Sequence, residues 1–252
     1  MLGVDKEVAA VAQQPADERV RGLKRIIPCA TIQSILKRTG QNRQCPRLPK
    51  WFVVWFVVGM DLCASDCSRQ VFRWLQSARL NVRMPPRSSL CEARRRLGVA
   101  PLSWLMNAVV RLLATPTTLG AFDRGMRLMA RAGLLLDRAD TPDNERVFGR
   151  PKGGRAAGAF PQVRVLALCA VGTHVIWKCP IEPIRRAEIT MAKALRRFLA
   201  ADMLRLWERG FLSYDNVRDV RAGQAHLRAR IEKALKFSKR EPLADGSYRT
   251  TL

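Results

Sequence analysis

The chain has 252 residues, 48% of them hydrophobic, which suffices for one large or two modest domains and excludes general intrinsic disorder. Its 45 lysines and arginines outnumber 21 aspartates and glutamates, and the charge of +24 favours a polyanionic partner such as DNA or RNA. The seven cysteines are an odd number and follow no recognisable signal peptide, which indicates a reducing cytoplasm rather than a disulfide framework.

The first half of the chain is predicted to be helical after a polar start. Residues 1–24 are polar, and we expect them to be loosely held. Ile32, Ile35 and Leu36 then recur at helical spacing. The segment from Trp51 to Cys63 is apolar all round, and its uninterrupted apolar run, Trp51 to Met60, is about half the ~20 residues that a membrane span needs, which predicts a buried central helix.

Two more helices follow in the pattern. Ser65 and Asp66 suit the cap of a helix that Pro85-Pro86 interrupts. Its apolar stripe consists of Val71, Phe72, Leu75 and Ala78. Ser89 and Glu92 have the spacing of a capping box, which predicts the start of the next helix.

Three adjacent arginines, Arg94, Arg95 and Arg96, lie on that helix. They cannot all point the same way, so at least one faces outward and is a candidate contact to a DNA phosphate. The alternative is that all three merely solvate the surface of a helical bundle.

A last helix, from Leu102 to Leu113, precedes a Thr-Pro-Thr-Thr linker at 115–118. We therefore predict a polar segment at 1–24, a helical domain at 25–120 and a second domain at 121–252. Residues 1–120 and 121–252 each carry a charge of +12, so neither half is a detachable basic tail.

The second half changes to strands. Leu134 to Leu136, Val163 to Val171 and Thr173 to Lys178 are predicted strands, with Gly172 at a hairpin turn. The residues that predict a following helix face are Met191, Leu195, Phe198 and Leu199.

A glycine-rich basic segment, 149–155, separates the first two predicted strands. As a flexible loop it could lay Arg150, Lys152 and Arg155 against a phosphate backbone. A solvated loop of the same composition is the alternative.

One acid, Glu208, is predicted at the end of a buried strand. Leu204, Leu206 and Trp207 fit a short covered strand, and Gly210 permits the turn that follows. Ligand sites gather at the carboxyl edge of such strands, so Glu208 is a candidate metal ligand and catalytic residue. The plainer alternative is a solvated glutamate.

The segment Leu204 to Tyr214 resembles the Asp-Arg-Gly-Phe-Tyr-Ser-Tyr motif of DDE transposases of the insertion-sequence-four family, with Glu208 in place of the second catalytic Asp. The resemblance covers roughly residues 25–252. In the second half it includes Thr141 to Asn144, Phe148 to Pro151, Ala159 to Arg164, Ala225 to Leu227 and Asp245 to Tyr248. In the first half it includes Ile27-Pro28, Thr39-Gly40, Arg47 to Pro49, Val53 to Trp55, Ala93-Arg94 and Arg96 to Leu102.

The resemblance implies a fold of the α+β or α/β class, with an N-terminal helical domain before an RNase H-like mixed-sheet domain. It also implies a cytoplasmic, nucleoid-associated bacterial protein with no membrane association. Its partner would be the DNA of transposon ends, and its cofactor Mg²⁺, which assists phosphodiester cleavage and strand transfer.

The chain departs from the family at its catalytic positions. Counting back from Leu136-Asp137, the first catalytic Asp falls on Ala132. Asp137 is no substitute, because an odd offset of five places it on the other face of the strand. The third residue, a Glu on a later helix, lies in relatives beyond the point matched by Leu252, so we expect an incomplete sheet domain without it.

The resulting expectation is a degenerate transposase that binds DNA but lacks catalytic residues. The alternative is an inactive DNA-binding regulator that acts with itself or with an intact transposase. A remnant without function is the third reading.

Overall fold

The computed structural model describes residues 15–43, 45, 47–77, 83–153, 156–231 and 241–250. Residues 1–14 of the predicted polar segment lie outside the described residues, whereas residues 16–24, which were expected to be loosely held, are helical. The chain forms two compact units, Met1–Val110 and Arg111–Leu252, and each has a hydrophobic core of its own.

The first unit is helical in the residues that the structure describes. Its helices are α1 (Ala16–Ile26), α2 (Cys29–Arg38), α3 (Lys50–Leu62), α4 (Ser68–Ser77), α5 (Arg87–Leu97) and α6 (Ala100–Val109).

Helix α3 is the centre of the first unit, as its apolar sequence predicts. All residues from Phe52 to Phe56 are buried, and the ring of Phe52 lies 4.8 Å from that of Phe72 in α4. Such aromatic pairs add to the stabilisation from area burial alone. No helix in the described part of the chain is long and apolar enough to cross a membrane.

The predicted helix ends need correction at three places. Helix α5 begins at Arg87 behind Pro86, without a side-chain cap, so the predicted capping box at Ser89 is wrong; proline already holds the extended backbone that a cap position needs. Helix α4 begins at Ser68, two residues after Asp66, which was predicted to cap it. The side chain of Asp66 accepts a hydrogen bond from Trp74 Nε1, within α4, at 3.3 Å. Helix α6 ends at Val109 rather than Leu113, which is exposed.

The second unit is built on a mixed sheet. Its strands are β1 (Phe122–Asp123), β2 (Met126–Asp137), β3 (Lys152–Gly153), β4 (Ala156–Ala157), β5 (Gln162–Ala170), β6 (Ile176–Lys178), β7 (Ile181–Pro183), β8 (Met203–Trp207), β9 (His226–Ala229), β10 (Glu241–Pro242) and β11 (Tyr248–Arg249). Its helices are α7 (Pro142–Phe148), α8 (Glu188–Ala194) and α9 (Tyr214–Ala222).

The strand order confirms the predicted fold class. The main sheet runs β6-β5-β2-β8-β9, where β2 is antiparallel to β5 and parallel to β8, and β8 is parallel to β9. Antiparallel strands followed by parallel ones joined through helical crossovers form the RNase H-like arrangement that the sequence predicts.

Three details of the second unit differ from the sequence prediction. Residues 152–153 and 156–157 pair as a short ribbon, β3 with β4, where a flexible loop was expected. Strand β6 begins at Ile176 because the turn after β5 extends to His174, which has a positive φ of 54°. The helix predicted over 191–199 ends at Ala194 and continues as a separate 3-10 turn, Arg196–Phe198.

The two faces of the sheet are distinct at β2 and β8. Met129 pairs with Arg205, and Met129 and Trp207 pack with Met191 and Leu195 in the core of the second unit. We call this side the core face. Since side chains alternate along a strand, Ala130 and Leu206 point to the other side, which we call the opposite face.

Candidate functional site

Glu208 follows directly after β8 and is exposed, at the strand end where the sequence predicts it. The parallel ladder between β2 and β8 ends with Ala130 opposite Leu206. By the alternation of side chains, Ala132 in β2 and Glu208 directly after β8 belong to the same opposite face of the sheet. These are the positions that the resemblance predicts for the first and the second catalytic Asp.

A cleft of about 320 Å³ opens at this edge of the sheet. The residues that line it come from three neighbouring strands and the chain just beyond them: Ala130, Arg131, Leu206, Trp207, Glu208, Arg228, Ala229 and Arg230. Glu208 is the sole carboxylate among these lining residues, and three of them are arginines. Positive side chains therefore outnumber negative ones in the lining of the cleft.

Arg228 and Arg230 lie on the same face as Glu208. Strand β9 pairs Arg228 with Leu206, and beyond the strand the backbone N–H of Arg230 donates to the carbonyl of Trp207 at 3.2 Å. Both arginines are exposed. The spacing of two in Arg228-Ala229-Arg230 brings both side chains to one face of the strand.

Arg131 lines the cleft from the core face. Its guanidinium lies 4.4 Å from the centroid of the Trp207 ring, a favourable cation–π distance. Burial, followed by repulsion from Arg205, lowers the pKa of Arg131 to about 9. Burial lowers the pKa of Arg205 to about 10. Both guanidiniums therefore stay charged at neutral pH.

The residues of the cleft do not fit the expected Mg²⁺. Magnesium takes oxygen ligands in a near-octahedral shell, and a two-metal site needs several bridging carboxylates. No group of three or more His, Cys, Asp or Glu side chains in the described part of the chain is arranged to hold a metal. Guanidiniums beside the one available carboxylate would repel a dication.

Two other carboxylates near β2 cannot complete a metal site. A Cβ placed on Gly133 would lie 2.4 Å from Oε1 of Glu188, so that carboxylate sits on the core face, across the sheet from Glu208. Glu188 also accepts a hydrogen bond from Arg164 Nη1 at 2.6 Å. Asp137, at the far end of β2, accepts one from Gln162 Nε2 at 2.8 Å.

Arg150 is engaged within the protein. Its guanidinium donates to Glu145 and Asp140 and to the carbonyls of Gly158 and Ala159, and these acidic partners raise its pKa. Its role as a phosphate contact stays a prediction, and these bonds compete with it. The side chain of Lys152 and all of Arg155 lie outside the described residues.

The three arginines of α5 are all exposed in its last turn. Arg96 pairs with Glu92 at 2.9 Å, whereas Arg94 and Arg95 have no ion pair within the described part of the chain. Their role in binding DNA stays a prediction.

The sequence alone missed the arginines of the cleft. Arg228 and Arg230 come about 20 residues after Glu208, and their proximity depends on the register of β9 against β8. The alternation of arginine with small or apolar residues in Leu227 to Arg230 was the one available signal of a basic strand face.

Comparison with known proteins gives matches in both halves of the chain. Residues 17–107 match the family described as insertion element 4 transposase N-terminal. The chain is 25% identical over 170 residues to the provisionally named transposase InsZ of Escherichia coli (strain K12), which covers 67% of this chain and 56% of that protein. It is 23% identical over 212 residues to the transposase InsG for insertion sequence element IS4 of the same organism, covering 80% of this chain and 46% of that protein. The chain spans about half the length of these curated relatives.

Proposed function

We propose that this chain, whose resemblance to the insertion-sequence-four family of transposases these matches confirm, binds DNA and does not cut it. The observation that carries the proposal is the cleft at the sheet edge, where Glu208 is the sole carboxylate among the lining residues and three of the others are arginines. The fold of the family is retained there, while the ligands for its metal ions are not.

DNA binding is supported by the charge and by where it is exposed. A charge of +24 draws the protein to polyanions at long range. Arg94, Arg95, Arg228 and Arg230 are exposed without an acidic partner in the described part of the chain. Arginine offers two parallel donors to a phosphate, which a diffuse surface charge does not.

Lack of cleavage follows from the chemistry of the site. Phosphodiester cleavage in this family needs two metal ions, roughly 3.5–4 Å apart, held by carboxylates. The methyl group of Ala132 offers no ligand. Glu208 carries one methylene more than the family's Asp, and a misplacement of about 1 Å can cost ~100-fold in rate.

Measurement of DNA affinity against salt tests the binding. By fluorescence anisotropy with duplex DNA, log affinity should fall linearly with log salt, with a slope of about −0.9 for each phosphate neutralised. Six contacts would give a slope of about −5. An affinity that hardly changes between 50 and 200 mM salt, roughly the range where such contacts are lost, would refute a phosphate-based mode of binding.

A second function follows if binding persists without cleavage: the chain would regulate transposition by occupying transposon ends or by pairing with an intact transposase. The domain match at residues 17–107 favours it, since the N-terminal domain of the family is matched independently of the residues in the cleft. Co-expression with an intact related transposase and its element should then reduce transposition. Unchanged transposition, with DNA binding intact in vitro, would count against this role.

A further inference from the structure

We propose that the cleft at the sheet edge is a metal-independent site for the phosphodiester backbone of DNA, in which Arg228 and Arg230 bind the phosphate and Glu208 opposes binding. The inference rests on the proposed DNA binding and names the site responsible for part of it. In this proposal the cleft binds an anion through arginines, whereas a catalytic site of the family would bind metal cations through carboxylates.

The charges of the lining residues carry the first step. On the opposite face Arg228 and Arg230 stand beside Glu208 as the sole carboxylate among the lining residues, which leaves an excess of one positive charge there, and Arg131 adds a buried positive charge from the core face. Arg205 adds another positive charge behind β8, with its side chain fully buried. A concave wall with a net positive charge concentrates the field and attracts the opposite charge, here a phosphate.

The geometry of β9 places Arg228 and Arg230 where both can bind a phosphate. Residues two apart on a strand are about 6.6 Å apart and project to the same face. Arg228 and Arg230 thus present two guanidiniums side by side, on a backbone that the ladder to β8 holds in place. Such a pair suits the oxygens of one phosphate or of two successive ones, each as a charge-assisted hydrogen bond.

The isolation of Glu208 carries the third step. Neither its carboxylate nor the guanidiniums of Arg228 and Arg230 takes part in an ion pair in the described part of the chain. The arginines are therefore available to an external anion. Glu208 repels a phosphate held beside it, which is the opposite of what a metal ligand does.

Variants in the full chain separate these roles. Arg228→Gln and Arg230→Gln should each weaken DNA binding and reduce the salt slope by about 1, the value for one lost phosphate contact. Arg228→Lys and Arg230→Lys should keep the slope. Glu208→Gln should strengthen binding about 3- to 10-fold, because it removes a like charge near the phosphate. Arg146→Gln is the matched control, an exposed arginine of the same unit that pairs with Asp143.

The same titrations are run with EDTA and with Mg²⁺ at constant ionic strength, after circular dichroism and thermal melting confirm that each variant is folded. Equal affinities in the two buffers, with stronger binding by Glu208→Gln, are the expected result. Tighter binding in Mg²⁺ that Glu208→Gln abolishes would show a metal site and overturn the inference. Arginine variants that behave like Arg146→Gln would also overturn it, while DNA binding elsewhere on the chain would still support the proposed function. Failure of the unaltered chain to bind DNA at all would overturn both.

Discussion

Arg205 lowers the stability of the second unit, because its charge is buried. It lies in the middle of β8 with 0% of its surface exposed, and its three guanidinium nitrogens have no hydrogen-bond partner among the described residues. Burial of a charge without a partner costs several kcal/mol, and the lowered pKa of this guanidinium reflects that cost. The core face of the sheet is therefore less stable than its apolar residues alone would make it.

Replacement of Arg205 by methionine should stabilise the protein. A hydrophobic residue of similar length keeps the volume and removes the buried charge, for which a gain of about 1–4 kcal/mol is typical. Urea unfolding gives the change, and Arg221→Met, at an exposed position of α9, serves as the control with an expected change within about 0.5 kcal/mol. Loss of stability in Arg205→Met would mean that this guanidinium has a partner that stabilises it.

The gain from Arg205→Met should depend on pH. The pKa of Arg205 in the folded protein, about 10, lies below its ordinary value, so between these two values the unfolded chain binds more protons. Stability from this group therefore rises with pH through that window, and the cost is fully present below about pH 10. The difference between Arg205→Met and the unaltered protein should be constant from pH 7 to 9 and shrink at pH 11. A difference that grows with pH would contradict the assignment.

At the scale of the element, β2 combines exposed leucines with an edge that has no partner strand in the described part of the chain. The strand has 12 residues, yet β8 pairs with it only as far as Ala130. Leu134, Leu135 and Leu136 beyond that point are 46%, 49% and 44% exposed. Apolar strands with an unpaired edge are sites of association in proteins.

Lysine at Leu134 and Leu136 should reduce self-association. Both side chains project from the opposite face, and charges on an edge strand oppose edge-to-edge pairing. Light scattering against protein concentration measures the effect. Leu119→Lys is the control, since Leu119 is 96% exposed outside any strand. Equal self-association of the double variant and the control would rule out β2 as the associating element.

Helix α5 offers a matched test of DNA contact. Arg94→Gln with Arg95→Gln should weaken DNA binding and reduce the salt slope by about 2, because neither guanidinium has an acidic partner in the described part of the chain. Arg96→Gln is the control, since Arg96 already pairs with Glu92. An unchanged affinity of the double variant would assign these arginines to the solvated surface alone.

The sequence predicts those helices and strands that depend on local residue patterns. It does not predict which residues come together through the pairing of strands distant in the chain. The apolar run of α3 and the strand before Glu208 follow from periodicity and a glycine turn, which act over a few residues. Arg228 and Arg230 reach Glu208 only through a parallel ladder formed after a helical crossover. Leu204, Leu206 and Trp207 predict the covered strand, but the burial of Arg205 within it was not predicted, because a charged residue type opposes burial.

At the scale of the whole molecule, the charge is shared while the altered chemistry is local. Residues 1–120 and 121–252 carry +12 each, so we expect both halves to add to DNA affinity. The sheet has the strand order of an RNase H-like domain, and the proposed change lies at the edge where Glu208 and the arginines line the cleft. Binding without cleavage is therefore the expected behaviour of the chain.

A strand-cleavage assay tests this claim most directly. The purified chain is incubated with duplex DNA carrying transposon ends, in Mg²⁺, in Mn²⁺ and in EDTA, and the products are resolved on a denaturing gel beside a binding assay on the same samples. We expect bound DNA in all three buffers and neither nicks nor joined strands in any of them. Metal-dependent nicking that Glu208→Gln abolishes would exclude a contaminating nuclease and contradict the account, because it would show that Glu208 still holds a catalytic metal.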